Sequence, residues 1–530
     1  MSDDTPTTEN PAVGSNQLLD YAQGDGAALV TSLDRLDDAE ALCYEHPDYA
    51  ANRDKWLKYV NCYLARDMAS YIHKHVREHN DVYQERLKRG YYYNYVASIV
   101  DLFVAYLFES GITREVGGKL KEDFAGFYAD ATRSGVGYPL LMKMAETFAM
   151  VGGHCGILVD LPEAPEGGYP TRADEKAADH RPYLTLVRAS QILDWELNDR
   201  DQFEWVKLEV VRPQNRNWRT PVDTDVRHFL IWTRGNWELF QVKDHEDQES
   251  SHAKRVDGGD HELGEVPLVI LRNEVDLDHS WMGLSAVRDI ADINLAILNW
   301  SSMADEEIYN RCLNILTMQR TENDPPVEIS QYNVLEYEEG ADPPAFLTPG
   351  ETPLMLIGKQ IDRARDEIYR LAKMGGSTGL LGVREATSGI AYAFEFNETN
   401  QSLAGKAGLL EKAERDVHRL VGKWWNTDVD ATITYPREFG VDDFLLEFQM
   451  LTEARATLTS ESALKAMEKK LTAKLFTKDS QKFRQKVEEE IERGASRLGG
   501  QLQAAMNFGS VSPTLLGRGS RNGDQEPAVA

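Results

Sequence analysis

Residues 352–425 read TPLMLIGKQIDRARDEIYRLAKMGGSTGLLGVREATSGIAYAFEFNETNQSLAGKAGLLEKAERDVHRLVGKWW, two long helical patterns joined by glycines and small polar residues. In the first, Thr352 to Met374, residues Ile357, Ile361, Ala364, Ile368 and Leu371 recur at spacings of four and three, which sets them in one stripe. Lys359, Asp362, Arg363, Arg365, Asp366, Glu367, Arg370 and Lys373 fill the other faces, with Arg363/Glu367 and Asp366/Arg370 spaced to pair across one turn. The pattern predicts a narrow-seamed amphipathic helix. Gly375 and Gly376 end it, and the run to Gly382 forces a loop. The second pattern starts near Thr387 or Ser388 and reaches Trp425, with Leu403, Ala407, Leu410, Val417, Leu420, Val421 and Trp424 on one side. At about 1.5 Å per residue a continuous helix here spans on the order of 55 Å. Its small residues Ala391, Ala393, Ala404, Gly405, Ala407 and Gly408 would let another backbone approach closely.

A chain of 530 residues, 42% hydrophobic and 27% charged, has the composition of globular protein and the length for more than one domain. Its net charge of −29 opposes tight binding of nucleic acid through phosphate neutralisation. Cys43, Cys62, Cys155 and Cys312 form no CxxC pair, which argues against a zinc ribbon or disulfide framework and fits a reducing compartment. The start of the chain lacks the basic-then-apolar pattern of a secretory signal. The most apolar window, Tyr91 to Phe108, is interrupted by Asn94 and Asp101, so no membrane segment is expected.

Residues 1–48 carry one Arg against eleven Asp or Glu and are expected to form a mobile acidic arm. Asp54 to Arg89 reads as helix, with Trp56, Tyr59, Val60, Tyr63, Met68, Tyr71, Ile72 and Val76 on one face; Tyr91 to Glu109 and Ala125 to Val151 read as further buried helices. From Gly156 the period becomes strand-like. After a loop at 162–181, strands are expected at Tyr183 to Val187, Val206 to Val211, Phe229 to Trp232, Trp237 to Phe240 and Pro267 to Leu271. Leu284 to Arg311 reads as helix, residues 313–348 as a proline-punctuated β insert, Ala431 to Tyr435 as a strand, and Asp442 to Arg497 as helices with a start signal at Ser460. The fold class is α+β, mainly helical.

Helix, small β insert, helix, glycine-containing loop, very long helix, strand, terminal helices: this order resembles the portal protein of tailed bacteriophages. The resemblance implies a wing at 49–282, helical then β-rich, and a first stem helix at 283–312 entered through the turn Gly283 to Val287. It further implies a clip at 313–349, a second stem helix at 350–374, a tunnel loop at 375–388, a long wing helix and strand at 389–440, crown helices at 441–498 and a disordered tail at 499–530. It also implies a homo-oligomeric ring, usually of twelve subunits, at one capsid vertex of the virion, assembled in the host cytoplasm. Double-stranded DNA would pass through it without sequence specificity, driven by terminase. Major capsid and scaffold proteins would lie outside, and head-completion or tail-adaptor proteins would dock at the clip. No enzymatic activity and no cofactor are expected. The channel-loop candidates are Lys373, Gly375, Gly376, Ser377, Thr378, Gly379 and Arg384, with Lys373 and Arg384 the cations flanking the loop. An acidic channel repels phosphate, so DNA slides without sticking.

Other motifs have competing readings. Gly375 to Gly379 matches GxSxG, but the nucleophile elbow needs a preceding strand, and a charged helix precedes it here; the only later histidine is His418, inside a helix. The ending Gly-Lys-Ser/Thr of a phosphate-binding loop is missing. His75-Val76-Arg77-Glu78-His79 matches HxxEH, which on a helix would set two imidazoles and a carboxylate for metal-assisted hydrolysis, the alternative function; the plainer reading is a polar helix end running out at Asn80-Asp81. A cellular scaffold without a channel is the third reading. Tyr91, Tyr92, Tyr93 and Tyr95 are read as core or subunit-interface aromatics, Trp424-Trp425 as a packed helix end, and His154-Cys155 as a turn.

Overall fold

The computed structural model describes residues 38–109, 111–117, 120–165, 167–212, 218–219, 226–243, 252–312, 315–317, 345–347, 352–373, 389–439, 451, 461–475 and 481–492. The fold is α+β and mainly helical. The expected arm ends earlier than its composition suggests. Helix α1 (Asp38–Cys43) is docked through Ala39 and Leu42, and the buried ammonium of Lys207 donates to the carbonyls of Ala41 (2.8 Å) and Tyr44 (2.7 Å). Residues 1–37 lie outside the described residues.

Helix α2 (Pro47–Leu64) opens with Pro47 at its first position, where the missing N–H costs nothing, and with His46 accepting from the Asp48 amide (3.2 Å). It does not continue to Arg89 as its periodicity predicts. Ala65 and Asp67 take left-handed φ of 52° and 53°, a short 3₁₀ turn follows at Met68–Tyr71, and Val76 is 99% exposed. Helix α3 (Asn80–Arg89) therefore begins where the spacing predicts an end. Helix α4 (Tyr95–Leu107) is capped by the Asn94 side chain and buries Val96, Ile99, Val100, Phe103, Val104 and Leu107.

Strand β1 (Thr113–Val116) is followed by two helices in place of the one expected: α5 (Lys121–Ala129) and α6 (Tyr138–Gly152). Between them, Arg133 and Gly135 adopt positive φ, and Pro139 restarts the helix in its first turn. Strand β2 (His154–Asp160) starts at His154, so the expected turn lies one residue earlier, at Gly153, with φ 91°. After α7 (Arg172–Ala177), within the expected loop, β3 (Tyr183–Arg188) and β9 (Leu268–Arg272) flank β2 antiparallel, pairing Ile157 with Leu186 and with Val269. Between β3 and β9 runs an antiparallel meander of β4 (Ile192–Leu197), β5 (Phe203–Val210), β6 (Val226–Thr233), β7 (Asn236–Lys243) and β8 (His252–Asp260). β4 and β8 carry no clean alternation in sequence and were not expected.

Where the chain leaves β9 for the next helix, two backbones cross. A Cβ on Gly153 would overlap the Gly283 carbonyl, and one on Gly283 would overlap the Gly153 carbonyl. Asn273 ties the crossing by donating its amide to the Gly153 carbonyl (2.9 Å) and its Nδ2 to the Leu284 carbonyl (2.7 Å). Ser285 Oγ donates to the Val151 carbonyl (2.7 Å). Gly283 bridges Val275, residues 286–290 form turns, and helix α8 (Ala291–Cys312) begins later than Leu284.

Helices α9 (Thr352–Leu371) and α10 (Gly389–Trp424) match the opening reading closely; α10 is unbroken over 36 residues. Short strands β10 (Ile315–Thr317) and β11 (Ala345–Leu347) pair antiparallel between α8 and α9. Strand β12 (Ala431–Thr434) returns to pair with β1. Helices α11 (Glu461–Leu475) and α12 (Gln481–Glu492) pack on each other. The core runs through α2, α4, α6, both larger sheets, α8 and the inner face of α10.

Candidate functional site

The candidate functional element is the hairpin of α8 and α9, whose Leu295, Leu298, Ala364 and Ile368 join it to the core. The chain leaves α8 at Cys312, Ile315 pairs with Leu347, and α9 starts at Thr352, so both helices share one tip. At the other end, Asn294 near the start of α8 accepts from the Tyr95 amide (3.1 Å), and Tyr369 near the end of α9 meets the Tyr95 ring edge-on at 6.2 Å. The two helices are antiparallel. Ala364 and Ile368 are buried in the seam, Ile361 and Leu371 partly so, as the stripe predicts.

The ion pairs of α9 differ from the expected ones. Arg365 reaches Asp362 (3.0 Å) and Asp366 (3.2 Å), and Arg370 Nε donates to Glu367 (2.8 Å). The pairs at three residues and next neighbours replace those at four because Arg365 sits at the edge of the seam, within reach of both aspartates. Arg370 first and Arg363 less hold the Glu367 carboxyl below its ordinary range.

Beyond Leu371 the helix ends on Lys373 in the left-handed conformation (φ 58°), its amide donating to the Arg370 carbonyl (3.0 Å). The Lys373 carbonyl accepts from the buried hydroxyl of Thr399 on α10. This bond closes the base of the segment between the two helices. Of the predicted channel residues only Lys373 is described; Gly375, Gly376, Ser377, Thr378, Gly379 and Arg384 lie outside the described residues, as does most of 313–349.

The far half of α10 is fixed in the core by polar groups. Arg114 on β1 grips the buried Glu414 through Nε (2.7 Å) and Nη2 (2.6 Å), and Tyr435 donates to the same carboxylate. His418 is stacked on Phe124 at 5.2 Å, with Nε2 2.6 Å from the Tyr128 hydroxyl and Nδ1 2.6 Å from the Glu414 carbonyl. It lies inside α10, 29 residues and about 43 Å of helix rise from Gly389, whereas Ser377 lies outside the described residues. Trp424 Nε1 donates to the Val159 carbonyl (3.0 Å) and Trp425 packs edge-on against Phe124, the packed helix end expected.

Nearer the middle of α10, Lys406 is buried and donates to Asn273 Oδ1, while Glu146 on α6 is fully buried with neither carboxylate oxygen bonded to protein. Burial raises the Glu146 carboxyl, and the Lys406 ammonium only partly offsets this. Neither group was singled out from sequence. The signal was there: Glu146 falls on the apolar stripe Leu141, Met142, Ala145, Ala149, and Lys406 beside Leu403, Ala407 and Leu410.

The residues of the metal-hydrolase alternative do not share a helix face. His75 and Glu78 lie in the turn before α3, where Glu78 accepts from the His75 amide (3.0 Å) and pairs with Arg86 (3.0 Å); His79 precedes α3 and faces Asp81 at 3.5 Å. The turn forms because the buried Arg86 guanidinium needs the Glu78 carboxylate. Among the described residues no group of three or more His, Cys, Asp or Glu could hold a metal ion, and no helix is long and apolar enough to cross a membrane. His154 and Cys155, consecutive in β2, project to opposite faces, as strand geometry requires. Tyr91, Tyr93, Tyr95 and Tyr369 form a ladder of ring contacts across the root of the hairpin, with Tyr91 and Tyr93 47% and 43% exposed.

No family model and no curated protein matches the chain. Among solved structures it is similar to a chain in the neck of an empty gene transfer agent particle computed with C6 symmetry, at 10% identity over 77% of this chain and 98% of that chain, TM-score 0.40. It is also similar to a chain in the virion of the native particle (12%, 77% and 99%, TM-score 0.39) and one in the native neck computed with C12 symmetry (12%, 77% and 98%, TM-score 0.38). At these identities and scores none of the likenesses assigns a function.

Proposed function

We propose that this chain is the subunit of a portal ring, a non-enzymatic channel at one vertex of a phage-type capsid through which DNA is packaged and ejected. The observation that carries this reading is the antiparallel hairpin of α8 and α9, capped by the β10–β11 pair and followed by a 36-residue helix whose far half is bolted into the core. A two-helix arm joined to the core at its root has little surface to bury towards its β tip, and side-by-side repetition around an axis supplies what is missing. In this reading α8 and α9 form the stem, β10 and β11 belong to the clip, residues 49–282 and α10 form the wing, and α11 and α12 belong to the crown. Residues 375–388, outside the described residues, take the place of the tunnel loop in this reading. ATP hydrolysis belongs to a partner terminase, capsid and scaffold proteins lie outside, and head-completion proteins dock at the clip.

Native mass and negative-stain imaging of the protein expressed with its capsid partners test this reading. Closed rings of about twelve subunits with a central hole are expected; a monomer under all such conditions would refute it. Deleting Ser377 to Val383 is expected to leave rings intact and abolish DNA packaging. Loss of assembly in that variant would make the loop structural.

A further inference from the structure

We propose that the cleft along the outer edge of β9 is the docking site of this chain's own acidic leading segment, whose residues 27–33 add to β9 as a further strand. In the sheet order β3-β2-β9, β9 lies at an edge. The Asn273 amide donates to the Gly153 carbonyl and the Val159 amide to the Pro267 carbonyl, so in this register the odd-numbered residues of β9 are the ones that bond β2. The amides and carbonyls of Leu268, Ile270 and Arg272 point the other way, and no described residue bonds them. A bare edge of this kind is a template for another extended segment.

Leu268, Ile270 and Arg272 line a cleft of about 420 Å³ whose other walls come from α10, from the β4–β5 turn ending at Phe203, and from Trp281. Its carboxylates are Asp201, Glu265 and Asp416, and its cations Arg200, Arg272, Lys412 and Arg419. Glu265 is held by Arg419 and by Lys423 (2.5 Å), and Asp416 lies 3.7 Å from Arg419. With Lys423 counted, five cations stand against three carboxylates, in a chain of net charge −29. Arg272 donates to the Ser280 carbonyl (2.9 Å), and Arg200 and Lys412 are exposed without an ion-pair partner among the described residues. An occupant must therefore bring an extended backbone, apolar side chains for Phe203, Ile270 and Trp281, and carboxylates for the rim. Residues 1–37, outside the described residues, carry seven Asp or Glu against one Arg. Within them Ala27 to Leu33, Ala-Ala-Leu-Val-Thr-Ser-Leu, is an apolar run of strand length flanked by Asp25 and Asp34. The reach is sufficient. Lys207 clamps α1 by the carbonyls of Ala41 and Tyr44, four residues or about 13 Å along β5 from Phe203, and residues 34–37 span up to about 17 Å between Leu33 and Asp38.

Hydrogen exchange of the full chain, read by mass spectrometry over residues 266–273, tests this at the amides of Leu268, Ile270 and Arg272; those of Val269, Leu271 and Asn273 are held by β2 in any case. In the unaltered chain the three outer amides are expected to exchange at least about tenfold more slowly than in a variant lacking residues 1–37, and a peptide of residues 20–37 added to that variant is expected to restore the protection. Asp25→Lys with Asp34→Lys in the full chain is expected to lose it as well. Equal exchange in the full and shortened chains overturns the proposal, since a fast edge is empty and a slow one is covered by something else. Protection unchanged by the two lysines, or protection that weakens on dilution and so comes from a second copy, overturns it too. The ring reading is untouched by any of these outcomes, because imaging of assemblies decides it separately.

Discussion

Acidification from pH 6.5 towards 3 is expected to destabilise the fold through His154, at the start of β2, and His154→Phe is expected to remove that part of the loss. The imidazole is fully buried, with neither ring nitrogen hydrogen-bonded to protein, between the edges of Trp56 (5.5 Å) and Trp281 (4.9 Å). Burial first, and the nearby His279 second, pushes its pKa from 6.5 down to about 3. The unfolded chain therefore takes up a proton that the native state refuses. A depressed folded value means that the contribution is complete above pH 6.5 and is lost as pH falls through the window to about 3. The slope is about 1.4 kcal/mol per pH unit, so the variant should lose on the order of 2–3 kcal/mol less than the parent between pH 6.5 and 4.5. Denaturant midpoints followed by tryptophan fluorescence at several pH values measure this, since Trp56 and Trp281 report on the site. Parallel curves for parent and variant would show that His154 is protonated in the native protein.

The second large effect concerns the bolt that fixes α10. Removing Arg114 by Arg114→Met leaves Glu414, 0% exposed, with only Tyr435 and without its charge partner. Breaking a buried ion pair from one side costs about 3–5 kcal/mol, because the surviving charge stays out of water. Arg114→Met combined with Glu414→Leu removes both charges and should restore most of that loss. Thermal midpoints of the two single variants and the double variant form the cycle. If Arg114→Met costs less than about 1 kcal/mol, the pair behaves like an exposed one and α10 is held by its apolar face alone.

Helices α9 and α10 were legible because one amphipathic period persists over many turns. In α9 the stripe Ile361, Ala364, Ile368, Leu371 is the seam itself, and in α10 the residues Leu403, Ala407, Leu410, Val417, Leu420 and Val421 are the buried face. Period alone failed where local backbone chemistry intervened. The spacing of residues 68–79 suits a helix, yet two left-handed residues and the demand of Arg86 for Glu78 redirect the chain. The break between α5 and α6 was visible in Gly135, Gly137 and Pro139, and the apolar run around them masked it. The β1–β12 pair joins Thr113 to Thr434, a partnership no local pattern encodes. For the candidate site, the hairpin and its connection were legible, whereas the ion pairs along α9 were not, because an arginine at a seam edge selects among several carboxylates by rotamer. The buried Glu146 and Lys406 show the reverse case: the pattern displayed them, as charges on apolar stripes, and periodicity read for its hydrophobic members passed over them.

The backbone crossing of Gly153 and Gly283 sets a trap for anyone mapping this protein by mutational tolerance. Every side chain at either position would drive into the opposite strand's carbonyl, so a saturation scan should find both positions closed to all nineteen alternatives. They lie 130 positions apart in sequence and touch in space, so they would surface together as a cluster of intolerance. Such clusters are commonly taken for ligand or partner sites. Here the cluster would mark a mechanical weld between the start of β2 and the turn leading into α8, and inspecting which substitutions abolish soluble protein, before any assay of assembly, separates the two.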